Sequence, residues 1–94
     1  MHAVVVRASV SDPEGSRKAL NDDVIPRART SDGFVAGYWL EPVDGKALAL
    51  MVFEDEKAAR TIQEAVQRII QSGEQVTPFA KMESCEVREV VGNA

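Results

Sequence analysis

The chain of 94 residues reads as a single α+β domain, a four-stranded antiparallel sheet with two helices on one of its faces. Three observations carry that reading. Strand-length runs rich in Val, Phe, Tyr, Trp and Leu occupy residues 3–10, 34–41 and 47–53, and a mixed run lies within 79–91. Two intervening stretches repeat apolar residues at helical spacing. The order is therefore strand, helix, strand, strand, helix, strand, which is two split strand-helix-strand units, the ferredoxin-like plan.

Each element has a local reason. Val4, Val5, Val6 and Val10 are β-branched and favour an extended first strand. After it, Asp12 can cap a helix with Pro13 at the first helical position, or Ser11 can form a capping box with Glu14. Leu20, Val24 and Ala28, with Ile25 beside them, give that helix one apolar stripe. Pro26 lacks a backbone donor and crowds the preceding turn, so it is expected to bend the helix or end its regular part. Residues 30–33, Thr-Ser-Asp-Gly, make a turn.

The second strand, 34–41, joins the third, 47–53, through a hairpin in which Asp44-Gly45 supply the tight-turn residues. Glu54 or Asp55 starts the second helix, with Ala58, Ala59, Ile62, Ala65, Val66 and Ile69 as its apolar face. Glu56–Arg60 and Glu64–Arg68 are acid-first pairs four residues apart on its outer side. Ser72-Gly73 ends it. A loop is expected at residues 74–78, then a last strand whose mixture of Met82, Cys85 and Val87 with Glu83, Glu86 and Arg88 suits a sheet edge.

Crossover handedness puts both helices on one face. Yet residues 47–53, Ala-Leu-Ala-Leu-Met-Val-Phe, are apolar on both faces of their strand, and nothing in the chain remains to cover the second. Burying each large aliphatic side chain is worth ~1.5–3 kcal/mol, so a partner sheet is the cheapest cover. The expectation is a two-fold homodimer with the sheets facing one another.

Composition excludes several functions. The apolar share of 45% and charged share of 28% are those of a globular protein. A net charge of -4 and pI near 4.9 oppose nucleic-acid binding, which needs a basic face. The apolar start at residues 2–6 is cut by Arg7 too soon for a signal-peptide core, and no run reaches the ~20 apolar residues of a membrane helix. One cysteine, Cys85, allows no internal disulfide, so a cytoplasmic setting is the default expectation.

Residues 33–39, Gly-Phe-Val-Ala-Gly-Tyr-Trp, and 52–59, Val-Phe-Glu-Asp-Glu-Lys-Ala-Ala, together with the order of elements, resemble the dimeric α/β-barrel superfamily. Within it the chain is most similar to the antibiotic-biosynthesis-monooxygenase-like domains, over essentially its whole length. The resemblance implies a face-to-face dimer with a pocket between sheet and helices in each protomer. It also implies either cofactor-free oxidation of a small aromatic molecule, haem degradation, or a domain without catalysis.

The haem-degrading members carry an Asn on the first strand, a Trp at the end of the third and a His on the following helix. Here the first strand has no Asn, Phe53 stands at the Trp-like position, and the second helix has no His. These departures argue against haem degradation, and no cofactor is expected. The sole histidine, His2, reads as a solvated end residue.

The pocket candidates are Arg7, Tyr38, Trp39, Met51 and Phe53. Tyr38 and Trp39 are adjacent, so they point to opposite faces. One packs in a core or interface and the other can line a cavity. Arg7 is a charge within an apolar strand and needs a partner, with Glu41, Glu83 or Glu86 available. Otherwise it anchors an anionic ligand. Cys85 reads as a small buried apolar residue rather than a reactive thiol. Asp22-Asp23 and Glu54-Asp55-Glu56 suit helix surfaces and caps, and no metal site is expected. Two functions stand side by side: a monooxygenase-like enzyme acting on a small aromatic ligand, and a non-catalytic dimeric ligand-binding or structural domain.

Overall fold

A computed structural model describes residues 1–73 and 80–94 of the chain. Four strands occur among them: β1 (His2–Val10), β2 (Phe34–Trp39), β3 (Lys46–Phe53) and β4 (Ala80–Glu89). They form one antiparallel sheet in the order β2-β3-β1-β4, as the ferredoxin-like plan requires. The mixed strand β4 is indeed an edge. The loop expected at 74–78 lies outside the described residues.

The first helical arm has three pieces: α1 (Pro13–Ala19), a π turn (Leu20–Val24) and α2 (Ile25–Arg29). Asp12 caps it, its Oδ1 accepting the Gly15 N–H at 3.2 Å, with Pro13 in the first turn. Pro26 neither ends the arm nor breaks it. The Ile25 N–H reaches five residues back to the Leu20 carbonyl, and this wide turn sits just ahead of the proline. The inward positions Ser16, Leu20, Val24 and Ala28 recur every four residues. At 3.6 residues per turn that repeat drifts by about 40° per step, and one extra residue in the π turn brings the stripe back toward the sheet. Lys18–Asp22 and Asp23–Arg27 ion pairs brace the turn from outside at 2.8 and 2.7 Å.

The hairpin between β2 and β3 closes at Asp44-Gly45, with φ of 52° and 75°, the pair of positive values a type I′ turn demands. Val43 and Lys46 exchange both backbone hydrogen bonds across it, at 2.9 and 3.0 Å. The other helix, α3 (Glu56–Ser72), is capped by Asp55, whose Oδ1 accepts the Ala58 N–H at 2.8 Å, and stops at Gly73.

The core lies between α3 and the sheet, where Val4, Val6, Phe53, Ala59, Val66 and Cys85 are buried and Ile62 and Ile70 pack beside them. Ala65, expected on the apolar face of α3, is exposed. It precedes Val66 by one residue, which turns it about 100° away from the line of contact, and Ile70 fills the next inward turn. The Gln67 amide ties α3 to the sheet by donating to the Cys85 carbonyl at 3.0 Å. α3 packs along β4 and β1, whereas the first arm meets the sheet chiefly where α2 touches β2. The helix side is thus closed over one half of the sheet and looser over the other.

Candidate functional site

Two bulges decide which side chains share a face. In β2, Phe34 pairs with Phe53 but Ala36 pairs with Val52, so one extra residue enters β2 between them. Simple alternation from Phe34 would put Tyr38 on its face. The bulge flips the rest of the strand, and Phe34, Gly37 and Trp39 face the helices together. In β4 the register shifts between partners Ser84 and Met82, which aligns Met82 with Cys85 despite their odd spacing.

The five pocket candidates are therefore divided by the sheet. Trp39, Met51 and Phe53 lie on the helix side, since Met51 pairs with Val4 and Gly37, and Trp39 pairs with Ala49. Arg7 and Tyr38 lie on the open side, in register with Leu48 and Leu50. No single site within the chain brings all five together.

On the helix side Phe53 is fully buried and meets Phe34 edge-on, with ring centroids 5.8 Å apart and planes at 76°. It forms the floor rather than a contact surface. Trp39, Met51, Phe34, Ala47 and Ala49 remain partly exposed on this face, Phe34, Ala49 and Met51 also packing against the core cluster. The Trp39 ring folds back over its own strand. A Cβ built on Gly37 would fall 2.8 Å from both Cη2 and Cζ3 of Trp39, and 3.1 Å from Cζ of Phe34. Only the missing side chain at Gly37 leaves room for that ring. Opposite it, Ala49 and then Ala47 keep the β3 side of the strip low. The result is an apolar strip with an aromatic wall.

Ionisable groups on the helix-facing register are few: His2, Cys85 and, beside His2, Glu89. Burial, then the neighbouring Glu86 charge, pushes the Cys85 thiol up to about 11, so it is neither thiolate nor nucleophile near neutral pH. His2 is not the solvated end residue expected of it. Pairing with Phe53 and Glu89 draws it into β1, its side chain is only 20% exposed, and its Nε2 lies 4.0 Å from a Glu89 carboxylate oxygen. Its Nδ1 is buried without a hydrogen-bond partner among the described residues.

On the open side Arg7 Nη1 donates to Glu86 Oε1 at 2.9 Å, and Arg88 donates to Glu86 Oε2 at 3.0 and 3.2 Å. Of the three carboxylates within reach of Arg7 by sequence, the strand pairing selects Glu86. These bonds, that from Arg7 foremost, hold the Glu86 carboxyl below its usual range. The middle of this face is apolar: Val5, Leu48, Leu50 and Val52 are partly exposed, Tyr38 is 59% exposed and Leu40 52%. A shallow hollow of about 260 Å³ beside Arg7, Leu48, Lys46 and Glu83 opens here, with Lys46 and Glu83 paired at 3.0 Å. Another, of about 300 Å³, lies on the outer side of α3. Neither encloses Trp39 and Met51.

No group of three His, Cys, Asp or Glu side chains that could hold a metal occurs among the described residues. No helix among them is long and apolar enough to cross a membrane. Sequence reasoning passed over Gly37 and Leu40 and set His2 aside as a solvated end residue. Gly37 carried a usable signal, a glycine two residues before a tryptophan within a strand.

No protein-family model and no curated protein matches the chain in sequence. Solved structures do match in fold. A protein of unknown function from Nitrosomonas europaea superposes with a TM-score of 0.64 at 16% identity, over 99% of this chain and 91% of that one. The monooxygenase ActVA-Orf6 of Streptomyces coelicolor, in complex with nanaomycin D, gives 0.59 at 17% identity, over 99% and 89%. The haem-degrader MhuD of Mycobacterium tuberculosis, with two haems bound, gives 0.54 at 24% identity, over 97% and 98%. The chain has the ferredoxin-like fold of these structures, and identities this low carry the fold alone.

Proposed function

We propose that the protein is a homodimeric binding domain for a small, flat, apolar ligand, held on the helix side between the first arm and the strip formed by Trp39, Met51, Ala47 and Ala49. The observation that carries this reading is the partial exposure of Trp39 and Met51, at positions where α3 seals the equivalent half of the sheet. Ligand sites are mostly apolar clefts with an aromatic wall, and this strip has that chemistry with no charged group in its register. The two-fold partner covers the open face. Its apolar rows, Tyr38–Leu50–Val5 and Leu40–Leu48, are the surface a second copy would bury. The cluster beside them carries both signs of charge, so two copies can meet without facing a single-sign field.

Cofactor-independent oxygenation of an aromatic ligand is the second reading, supported by the full-length fold match to a monooxygenase bound to nanaomycin D. On this reading His2, with Glu89 beside it, is the acid-base group available on the ligand's side of the sheet. Binding without catalysis ranks first because His2 lies at the opposite end of the helix-facing surface from Trp39. The test is titration with hydroxylated polycyclic aromatics and with haem, read by calorimetry, with oxygen uptake followed in parallel. Binding without oxygen uptake supports the domain reading, and oxygen uptake supports the enzyme. Binding of none of them sinks both.

A further inference from the structure

The geometry points to Gly37 as the positioning residue of the ligand strip: it sets the Trp39 ring as a platform on which one face of a flat aromatic ligand stacks. This rests on the helix-side ligand reading above and narrows the ligand to ring systems thin enough to slide between Trp39 and the first arm.

The argument starts from the bulge between Phe34 and Ala36, which brings Phe34, Gly37 and Trp39 to one face. Their side chains then compete for the same space above β2. With a hydrogen at position 37, the six-membered edge of the indole settles over the strand, and Phe34 closes the far side. Phe34 is itself fixed edge-on against the buried Phe53 ring, so it cannot yield easily. Trp39 has the freedom that Phe34 lacks, because its cross-strand partner is only Ala49, whereas Phe34 faces the Phe53 ring. A methyl group at 37 would meet Cη2 and Cζ3 at 2.8 Å, closer than real Cβ contacts come, and the ring would lift off the strand. The glycine thus controls, through the tryptophan, how low the aromatic wall of the strip lies. Offset stacking on one indole face is the interaction that a flat ring system can make there.

Trp39 is the only tryptophan, so its fluorescence reports on this one place. The experiment titrates the protein with menadione, a flat uncharged naphthoquinone, by Trp39 quenching and by calorimetry. The expected result is binding by the unaltered protein and about tenfold weaker binding by Gly37→Ala, the scale of one lost aromatic stack. The emission of unliganded Gly37→Ala should shift to longer wavelength as the ring lifts. In Gly37→Ala/Trp39→Phe the shorter ring tolerates the new methyl, so calorimetry should return its affinity to that of Trp39→Phe alone. A merely structural glycine would not be rescued in this way.

Wild-type affinity and emission in a folded Gly37→Ala would overturn the positioning role while leaving the ligand reading intact. Failure of the unaltered protein to bind menadione would overturn this inference; failure with the polycyclic aromatics and haem as well would remove the ligand reading itself. Should Gly37→Ala not fold, Trp39→Phe decides alone: unchanged affinity in that variant means the indole is no platform.

Discussion

Arg7 and Glu86 meet at 2.9 Å across β1 and β4, on the face of the sheet that neither helix covers. Arg7 looked like an intruder in an apolar strand, and this pairing explains how the strand tolerates it. The guanidinium leans toward the edge strand, where Glu86 and Arg88 are, and leaves the β2–β3 half of the face apolar.

The first prediction concerns acid. The folded-state pKa of Glu86 is lowered from its usual 4.5, so the stabilisation it brings is present above that value and is lost as pH falls through the lower folded-state value. Glu86→Gln removes that contribution. Urea melts of the two proteins should differ modestly near pH 7 and converge in the acid range below 4.5. A gap that widens on acidification would contradict the pairing.

Leu50 sits in the middle of the open face, opposite Tyr38 and Val5. Leu50→Glu should leave the fold intact and abolish self-association, since a charge there meets the partner sheet rather than the core. Light scattering should report the monomer mass of 10.2 kDa for the variant and twice that for the parent. A dimeric variant, or a monomeric parent at micromolar concentration, would refute the sheet-to-sheet arrangement.

Much of the fold could be read from the sequence because its punctuation is local. Asp12-Pro13, Asp44-Gly45, Asp55 and Gly73 each act within one turn, and each stands where its chemistry placed it. The site was harder for the opposite reason. Whether Tyr38 or Trp39 faces the helices depends on one inserted residue between Phe34 and Ala36, and a bulge leaves no mark in a run of strand-forming side chains. His2 was misread because a terminal position says nothing of pairing. Its neighbours Phe53 and Glu89 are more than fifty residues away in the chain, and only the sheet brings them together.

Pro26 allows a third test. In a regular helix interior a proline costs ~3 kcal/mol, but the π turn before it has already released the contacts that the ring would break. Pro26→Ala should therefore change stability by less than about 1 kcal/mol, the four-residue apolar repeat being enough to keep the wide turn. Stabilisation of about 2 kcal/mol or more in a denaturant melt would mean that the proline alone imposes it.

Phe53 provides the control for the core. It is fully buried beneath α3 and braces Phe34. Phe53→Ala should cost about 3–5 kcal/mol, seen as a large fall in the unfolding midpoint. Met51→Ala, only two residues away but partly exposed, should cost less, because part of its surface already faces water. Equal costs would indicate that the helix side is sealed throughout and leaves no room for a ligand.

The burial of Cys85 also equips the protein with a clock. Its sulfur is under α3, and the Gln67 amide bolts that helix to the strand at the same residue. A thiol reagent reaches it when the packing between α3 and β4 opens. Alkylation at saturating reagent would then tick at the rate of that opening, and under slower labelling at its equilibrium frequency. One cysteine makes the trace a single exponential, so the breathing of this half of the molecule can be timed without any added label.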